Sequence, residues 1–177
     1  IRTMLKDIEI ARRLGADGVV FGCLTADGEV DLTSMQILME ASKGLSVTFH
    51  RAFDVCRNPQ KALEEIIELG CNRILTSGQQ PTAEQGIGLL KELQGLAAGR
   101  ITLLADCGVN ENNIARIAAE TGINEFHFSA RESIQSEMKF RNEVVSMGGT
   151  VHINEYERNV TSVRRVKETV EALYKGM

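Results

Sequence analysis

The chain alternates between short segments rich in β-forming residues and longer segments whose apolar residues recur at helical spacing. The β-rich segments begin near Val19, Val47, Ile74, Ile101 and Glu125. The helical segments cover residues 4–14, 32–41, 60–69, 83–93, 112–121 and 163–174. Successive β-rich segments are about one βα unit apart, which is the length that a crossover between parallel strands requires. The pattern therefore predicts a series of βα units.

The chain enters three of the predicted strands through similar tripeptides. These are Gly15-Ala16-Asp17, Gly70-Cys71-Asn72 and Gly122-Ile123-Asn124. In each of them a glycine can end the preceding helix, and a short polar residue can turn the chain into the strand. The similarity supports a repeated unit.

Consecutive βα units without an antiparallel hairpin signal predict a parallel α/β fold, either a doubly wound sheet or a barrel. In the second strand, Val47 and Phe49 lie on one face, and Thr48 and His50 lie on the other. Polar residues toward a lumen and apolar residues toward outer helices favour a (β/α)8 TIM barrel. A doubly wound sheet buries both faces and its strands are more uniformly apolar. We predict one domain over residues 1–177.

Composition narrows the class of protein. The chain has 177 residues, 43% of them hydrophobic and 25% charged, with a net charge of −4, as expected for one soluble domain. It has no basic block that could meet nucleic-acid phosphates or an anionic membrane surface. It also has no apolar run near the roughly 20 residues of a membrane span, and no signal peptide pattern. We therefore predict a cytoplasmic protein with free thiols.

Four sequence strings, in this order and at these distances, point to a known family. They are GADGVVFGCLTADGEVD at 15–31, VTFHRAFD at 47–54, RILTSG at 73–78 and MKFRN at 138–142. With them the chain resembles the copper homeostasis protein family CutC, from about Lys6 to the last helix. The resemblance implies a (β/α)8 barrel of which this chain supplies strands four to eight. We therefore expect an N-terminally incomplete barrel that lacks about the first three βα units.

Four polar residues near strand ends are candidate catalytic groups. His50, Arg51 and Asp54 follow the second strand, and Asp106 follows the fourth. Because chemistry in such barrels takes place at the carboxyl ends of the strands, these residues could transfer protons or bind an anion. The alternative is a structural ion pair between Arg51 and Asp54, with His50 filling the lumen. Asp106 could also be a metal ligand.

Small residues and arginines near the later strands predict anion binding. The candidates are Ser77, Gly78, Gly108, Ser129, Arg131 and Arg141. Backbone N–H groups after strands seven and eight of such barrels often hold phosphate at a helix N-terminus. The alternative is that these are ordinary glycine turns and that Asn110 with Asn113 caps a helix.

Three cysteines are candidate ligands for copper, which prefers soft sulfur donors. Cys23, Cys56 and Cys107 lie at or just beyond the carboxyl ends of predicted strands, whereas Cys71 lies at the opposite end. A site formed by the first three, together with His50 or His127, could bind Cu(I). The alternative is ordinary burial, since free cysteine is among the most buried residue types and no CxxC spacing occurs.

Three functions remain open at this point. The resemblance implies a protein of copper homeostasis that binds Cu(I), either as a pure carrier or otherwise. The residues also fit a metal-independent enzyme that acts on a small phosphorylated or carboxylated molecule. The expected partner is therefore a copper ion or a small anion. Because the first and last strands expose apolar edges without Pro or Lys protection, we also expect a homo-oligomer.

Overall fold

The computed structural model describes residues 1–151 and 153–176, which contain one parallel sheet of five strands. The strands follow one another in the order of the chain: β1 Gly18–Phe21, β2 Ser46–Phe49, β3 Arg73–Thr76, β4 Thr102–Ala105 and β5 Glu125–Phe126. Every neighbouring pair in this sheet is parallel. The predicted parallel α/β fold is confirmed.

The described residues also form six α-helices: α1 Arg2–Arg13, α2 Leu32–Ala41, α3 Pro59–Glu68, α4 Ile87–Ala97, α5 Ile114–Thr121 and α6 Val163–Gly176. A short 3₁₀ helix, Arg51–Val55, follows β2. The sequence predicted α2 with its observed bounds. It placed the start of α4 at residue 83, whereas the helix begins at Ile87 because residues 82–86 form a turn.

Local capping explains where two of these helices begin. The Asp31 side chain accepts a hydrogen bond from the Ser34 N–H at 3.0 Å and so caps α2. Asn58 caps α3 in the same way through the Lys61 N–H, and Pro59 stands at the first helical position. Side-chain acceptors satisfy N–H groups that the helix itself leaves without partners.

The two faces of the sheet have different burial. Val47, Phe49 and Ile74 point toward the helices and are at most 1% exposed. Thr48 and Leu75, on the other face, are only half-buried. The alternation predicted for the second strand is therefore observed, and the main hydrophobic core lies between the sheet and the helices.

The expectation that the chain contains no antiparallel pair of strands is wrong. Strands β6 Arg131–Gln135 and β7 Glu157–Thr161 form a two-stranded antiparallel sheet. Both strands are largely exposed, so they lack the alternation of apolar and polar residues that identifies a strand. Their connection, residues 136–156, is also much longer than the two to five residues or so of a typical hairpin turn. Among the described residues, no helix is both long and apolar enough to cross a membrane.

Candidate functional site at the carboxyl end of the sheet

The segments that follow β2, β3, β4 and β5 bring polar side chains together at one edge of the sheet. We call this edge the mouth and define it by its polar side chains, which are Arg51, Asp54, Ser77, Asp106, Cys107 and His127. Because all five strands are parallel, their carboxyl ends lie at the same edge. The sequence predicted this grouping for all of these residues except His127, which it named only as a further partner for copper.

Arg51 connects three of these segments. Its Nε donates to Asp54 Oδ2 at 2.7 Å, its Nη2 to Ser77 Oγ at 2.8 Å, and its Nη1 to Cys107 Sγ at 2.6 Å. The Arg51 side chain remains 39% exposed. The planar guanidinium is thus held in one orientation at the mouth while part of it still faces solvent.

Asp54 is enclosed by donors from its own chain. Its carboxylate accepts hydrogen bonds from Thr76 Oγ1 at 2.6 Å, from the Ser77 N–H and hydroxyl, and from the Gln79 N–H at 3.1 Å, in addition to Arg51. The side chain is 6% exposed. This arrangement favours a positioning role for Asp54 over proton transfer.

The loop after β3 uses its own backbone donors internally. The Ser77 N–H donates to Asp54, and the Gly78 N–H donates to Thr76 Oγ1 at 2.9 Å. Gly78 and Gln79 adopt φ values of +68° and +57°, which turns successive N–H groups inward. We expected the backbone of Ser77 and Gly78 to bind an external anion, but the Ser77 N–H holds the Asp54 carboxylate and the Gly78 N–H is taken by Thr76.

Asp106 lies between a thiol and an imidazole. Its Oδ2 is 3.6 Å from Cys107 Sγ, and its Oδ1 is 3.6 Å from His127 Nδ1. Burial, together with the nearby Asp106 carboxylate, raises the pKa of the Cys107 thiol. Cys107 also has a φ of +73°, which is unusual for a residue with a side chain and is found most often at functional positions. A carboxylate beside these two groups can accept or return a proton.

A cavity of about 430 Å³ opens beside Asp106 and Cys107. Its wall is formed by the loops after β4 and β5, including Gly108, Ser129 and Arg131, and by one residue of α6, Arg165. This volume is in the range of pockets for small metabolites. The predicted candidates Gly108, Ser129 and Arg131 therefore share one cavity with the acid–base group Asp106.

Sequence reasoning missed Arg165 and its partner Glu111. Arg165 donates to both carboxylate oxygens of Glu111, at 3.0 and 3.1 Å, and to the carbonyl oxygen of Arg131. The Arg165 hydrogen bonds lower the pKa of Glu111. No motif marks this pair, because the packing of α6 against α5 brings together residues that are far apart in the sequence.

Two other predicted residues have different surroundings. His50 Nδ1 accepts a hydrogen bond from the Ala52 N–H at 3.2 Å and caps the 3₁₀ helix. Arg141 lies beside Gln135 and over the ring of Tyr156. It is not among the residues that line the cavity, because it belongs to the long connection between β6 and β7.

The three predicted copper ligands have separate surroundings. Cys56 is buried and accepts a hydrogen bond from the Gln79 amide at 3.5 Å, whereas Cys107 faces the Arg51 guanidinium. Burial raises the pKa of both Cys23 and Cys56. Within residues 1–151 and 153–176, no three His, Cys, Asp or Glu side chains are arranged to hold a metal ion. The described residues therefore do not fit a three-thiol copper site.

A larger cavity, of about 570 Å³, lies at the opposite, amino end of the sheet. Its charged residues are Glu40, Lys43 and Glu68, of which Glu40 and Lys43 pair with each other at 2.7 Å and are largely exposed. Cys71 lies near this end, 3.7 Å from Met39 Sδ, and burial raises its pKa to about 11. The Asp106 carboxylate, the Cys107 thiol and the His127 imidazole lie together at the mouth, so we assign the candidate site there despite the smaller cavity.

Comparison with known proteins places these observations in a family. The model of the CutC family matches residues 1–132. The chain is 77% identical over 173 residues to a family protein CutC of Bacteroides thetaiotaomicron and 47% identical to one of Porphyromonas gingivalis. Each match covers 98% of this chain and 70% of the relative.

Solved structures agree with this result. The CutC protein of Streptococcus agalactiae, whose name assigns it to copper homeostasis, matches with a TM-score of 0.69 and 33% identity. That match covers 71% of this chain and 62% of the streptococcal one. A structure described as native KDPGal matches over 97% of this chain with a TM-score of 0.57 and 14% identity, which shows the fold alone. The chain thus spans less than two thirds of the length of the streptococcal protein.

Proposed function

The chain belongs to the CutC family, and on that premise we propose that its mouth binds a small phosphorylated or carboxylated molecule and exchanges a proton with it. The observation that carries this proposal is the position of Asp106 between Cys107 and His127, on the wall of a cavity that also contains Arg131. An acid–base group next to a cation is what proton abstraction from an anionic substrate requires.

In this proposal each residue of the mouth has its own role. Arg131 and the loops that contain Gly108 and Ser129 hold the anionic group. Asp106 accepts the proton, and His127, whose side chain is 60% exposed, exchanges it with solvent. Arg51 also holds the thiol of Cys107 next to Asp106.

Two measurements test this proposal. In an NMR titration with inorganic phosphate, we expect the largest shifts at the amides of Gly108 and Ser129. In deuterium oxide, we expect the protein to exchange a carbon-bound proton of at least one small phosphorylated or carboxylated acid. Asp106→Asn should abolish the exchange, whereas Asp27→Asn, a change at an 85% exposed carboxylate, should leave it unchanged. Phosphate shifts confined to other surfaces would contradict the proposal.

A role in copper homeostasis is the second candidate, and the name of the streptococcal relative supports it. Because Cys23, Cys56 and Cys107 do not form a ready-made metal site among the described residues, this form of the proposal requires Cu(I) to draw these three thiols together, since soft sulfur ligands suit this ion. Competition with a Cu(I) chelator on single Cys→Ser variants tests it. Loss of affinity at these three positions, with Cys71→Ser unchanged, is the expected result. An equal loss at Cys71 argues against the mouth as the binding site.

We further propose that β1–β5 are strands four to eight of a closed (β/α)8 barrel, which a homo-oligomer or further strands would complete. The support is that Val20, on the lumen face of the edge strand β1, is 62% exposed, and that a closed barrel leaves no free edge. Hydrogen–deuterium exchange tests this closure. Slow exchange at residues 18–21 is expected, and fast exchange there would contradict it. Sedimentation then distinguishes an oligomer from a monomer.

A further inference from the structure

We infer that the mouth is built for a molecule with two anionic groups, one bound at Arg51 and the other at Arg131, with the reacting centre between them at Asp106. This inference rests on the proposed function and names its substrate class. It predicts a short dicarboxylate or a phosphorylated carboxylic acid. A molecule with a single phosphate or carboxylate would contact only one of the two arginines.

Arg51 provides the first cationic position. Its Nε is held by Asp54, and its Nη atoms extend to Ser77 and Cys107 at the rim of the cavity. The side chain of a guanidinium fixed in this way is already ordered, so binding a ligand costs it little further conformational entropy. Because its side chain is 39% exposed, a ligand can reach it from the solvent side.

Arg131 provides the second cationic position. It lines the cavity, and no ion pair or side-chain hydrogen bond of its guanidinium occurs among the described residues. Arg165, behind it, is already paired with Glu111 and holds the backbone of Arg131 through the carbonyl oxygen. Of the two arginines that line the cavity, Arg131 is therefore the one whose charge is available to a ligand.

The carboxylate of Asp106 separates the two arginines. Arg51 contacts Cys107, and Asp106 lies beside both Cys107 and His127. Arg131 lies further along the wall of the same cavity. At the two ends of this row of residues are the cationic groups of Arg51, which is paired with the enclosed Asp54, and Arg131, and the anionic group of Asp106 lies between them. The complementary ligand is negative at both ends and carries a proton donor in its middle, because an anion next to Asp106 would be repelled. The cavity of about 430 Å³ has room for such a small molecule.

The test compares phosphate with phosphoglycolate, which adds a carboxylate to the same phosphate group. By calorimetry on the intact protein, we expect phosphoglycolate to bind about tenfold tighter than phosphate, as one further charge-assisted contact provides. Arg131→Gln should remove that advantage, and because Arg131 is exposed the variant should fold normally. Arg51→Gln should do the same. Arg51→Lys, which keeps the charge next to Asp54, replaces it if the glutamine variant unfolds.

Arg158→Gln is the matched control, since Arg158 is an exposed arginine on the neighbouring strand β7 outside the cavity lining. It should keep the tenfold preference. If phosphate binds at the mouth but phosphoglycolate binds no tighter, the inference is wrong and the proposed function stands. The inference is also wrong if Arg158→Gln has the same effect as Arg131→Gln. Failure of both ligands to bind at the mouth overturns the inference and the proposed function together.

Discussion

The two sides of the mouth have similar sequences but different structures. After β3 the chain reads Ser77-Gly78, and after β4 it reads Cys107-Gly108, and both glycines have positive φ. On the β3 side, which we call the filled side, the Asp54 carboxylate occupies the backbone donors. On the β4 side, the open side, a cavity remains. A glycine turn after a strand can bind a ligand only where the chain does not supply its own anion.

Close packing makes the filled side rigid. The backbone at Gly86, just before α4, lies so close to the loop that an added Cβ would be 1.9 Å from the Ser77 carbonyl oxygen. On the open side, a Cβ at Gly108 would meet only the Thr82 side chain, at 3.2 Å or more. The filled side is therefore expected to support the fold, and the open side to serve binding.

The largest effect on stability should come from removing the Asp54 carboxylate, which occupies the filled side. Asp54→Ala leaves the Ser77 and Gln79 N–H groups and Arg51 without their common acceptor, and we expect the free energy of unfolding to fall by about 4 kcal/mol. Urea denaturation measures this change. Asp106→Ala, on the open side, should cost less than about 1 kcal/mol. Equal losses for the two variants would remove the distinction between the sides.

Crowding the filled side should have the next largest effect. Gly86→Ala would force the Ser77 carbonyl to move, and we expect a loss of about 3 kcal/mol in thermal or urea unfolding. Gly88→Ala is the control, because a Cβ at Gly88, inside α4, meets nothing within 4 Å. That change should be neutral or stabilise by about 0.5–1 kcal/mol. A well-tolerated Gly86→Ala would mean that the loop is not tightly packed.

The pKa of the buried Cys71 thiol, which lies away from the mouth, gives the next prediction. Burial raises the pKa of Cys71 from 9.0 to about 11, so the folded state favours the protonated thiol. The resulting stability is fully present below pH 9 and is lost as the pH rises toward 11, with a size on the order of 2 kcal/mol. Unfolding curves for wild type and Cys71→Ala should therefore converge over this range. If they stay parallel, burial of Cys71 does not control its titration.

The smallest effect on stability should come from removing the ion pair between Arg165 and Glu111, behind the open side. Arg165 keeps the pKa of Glu111 below its ordinary 4.5, so the pair stabilises the fold above about pH 4.5 and loses that effect as the pH falls below it. Glu111→Gln should cost about 1 kcal/mol at pH 7 and progressively less as the pH falls below 4.5. Glu64→Gln, in the more exposed pair with Arg100, should change stability less. A larger loss there would contradict this ranking.

The mouth was only partly predictable from the sequence. His50, Arg51, Asp54 and Asp106 could be assigned to one edge, because the carboxyl ends of parallel strands meet there. Their roles could not be assigned, because the number of donors around a carboxylate depends on how loops from different strands pack. Asp54 and Asp106 look equivalent in the sequence, yet the first is enclosed and the second faces a cavity. Arg165 gave no local signal at all.

The sequence by itself determined the order of the five parallel strands and of the helices that follow them, and the face of β2 that is buried. These depend on periodicity and caps within about ten residues, as the predicted bounds of α2 illustrate. Only the tertiary structure decided which glycine turn is filled, that Arg141 lies beside Tyr156 outside the cavity, and that β6 and β7 pair. The physical reason is that hydrogen bonds and charge pairs between distant segments depend on three-dimensional packing, which no local pattern records.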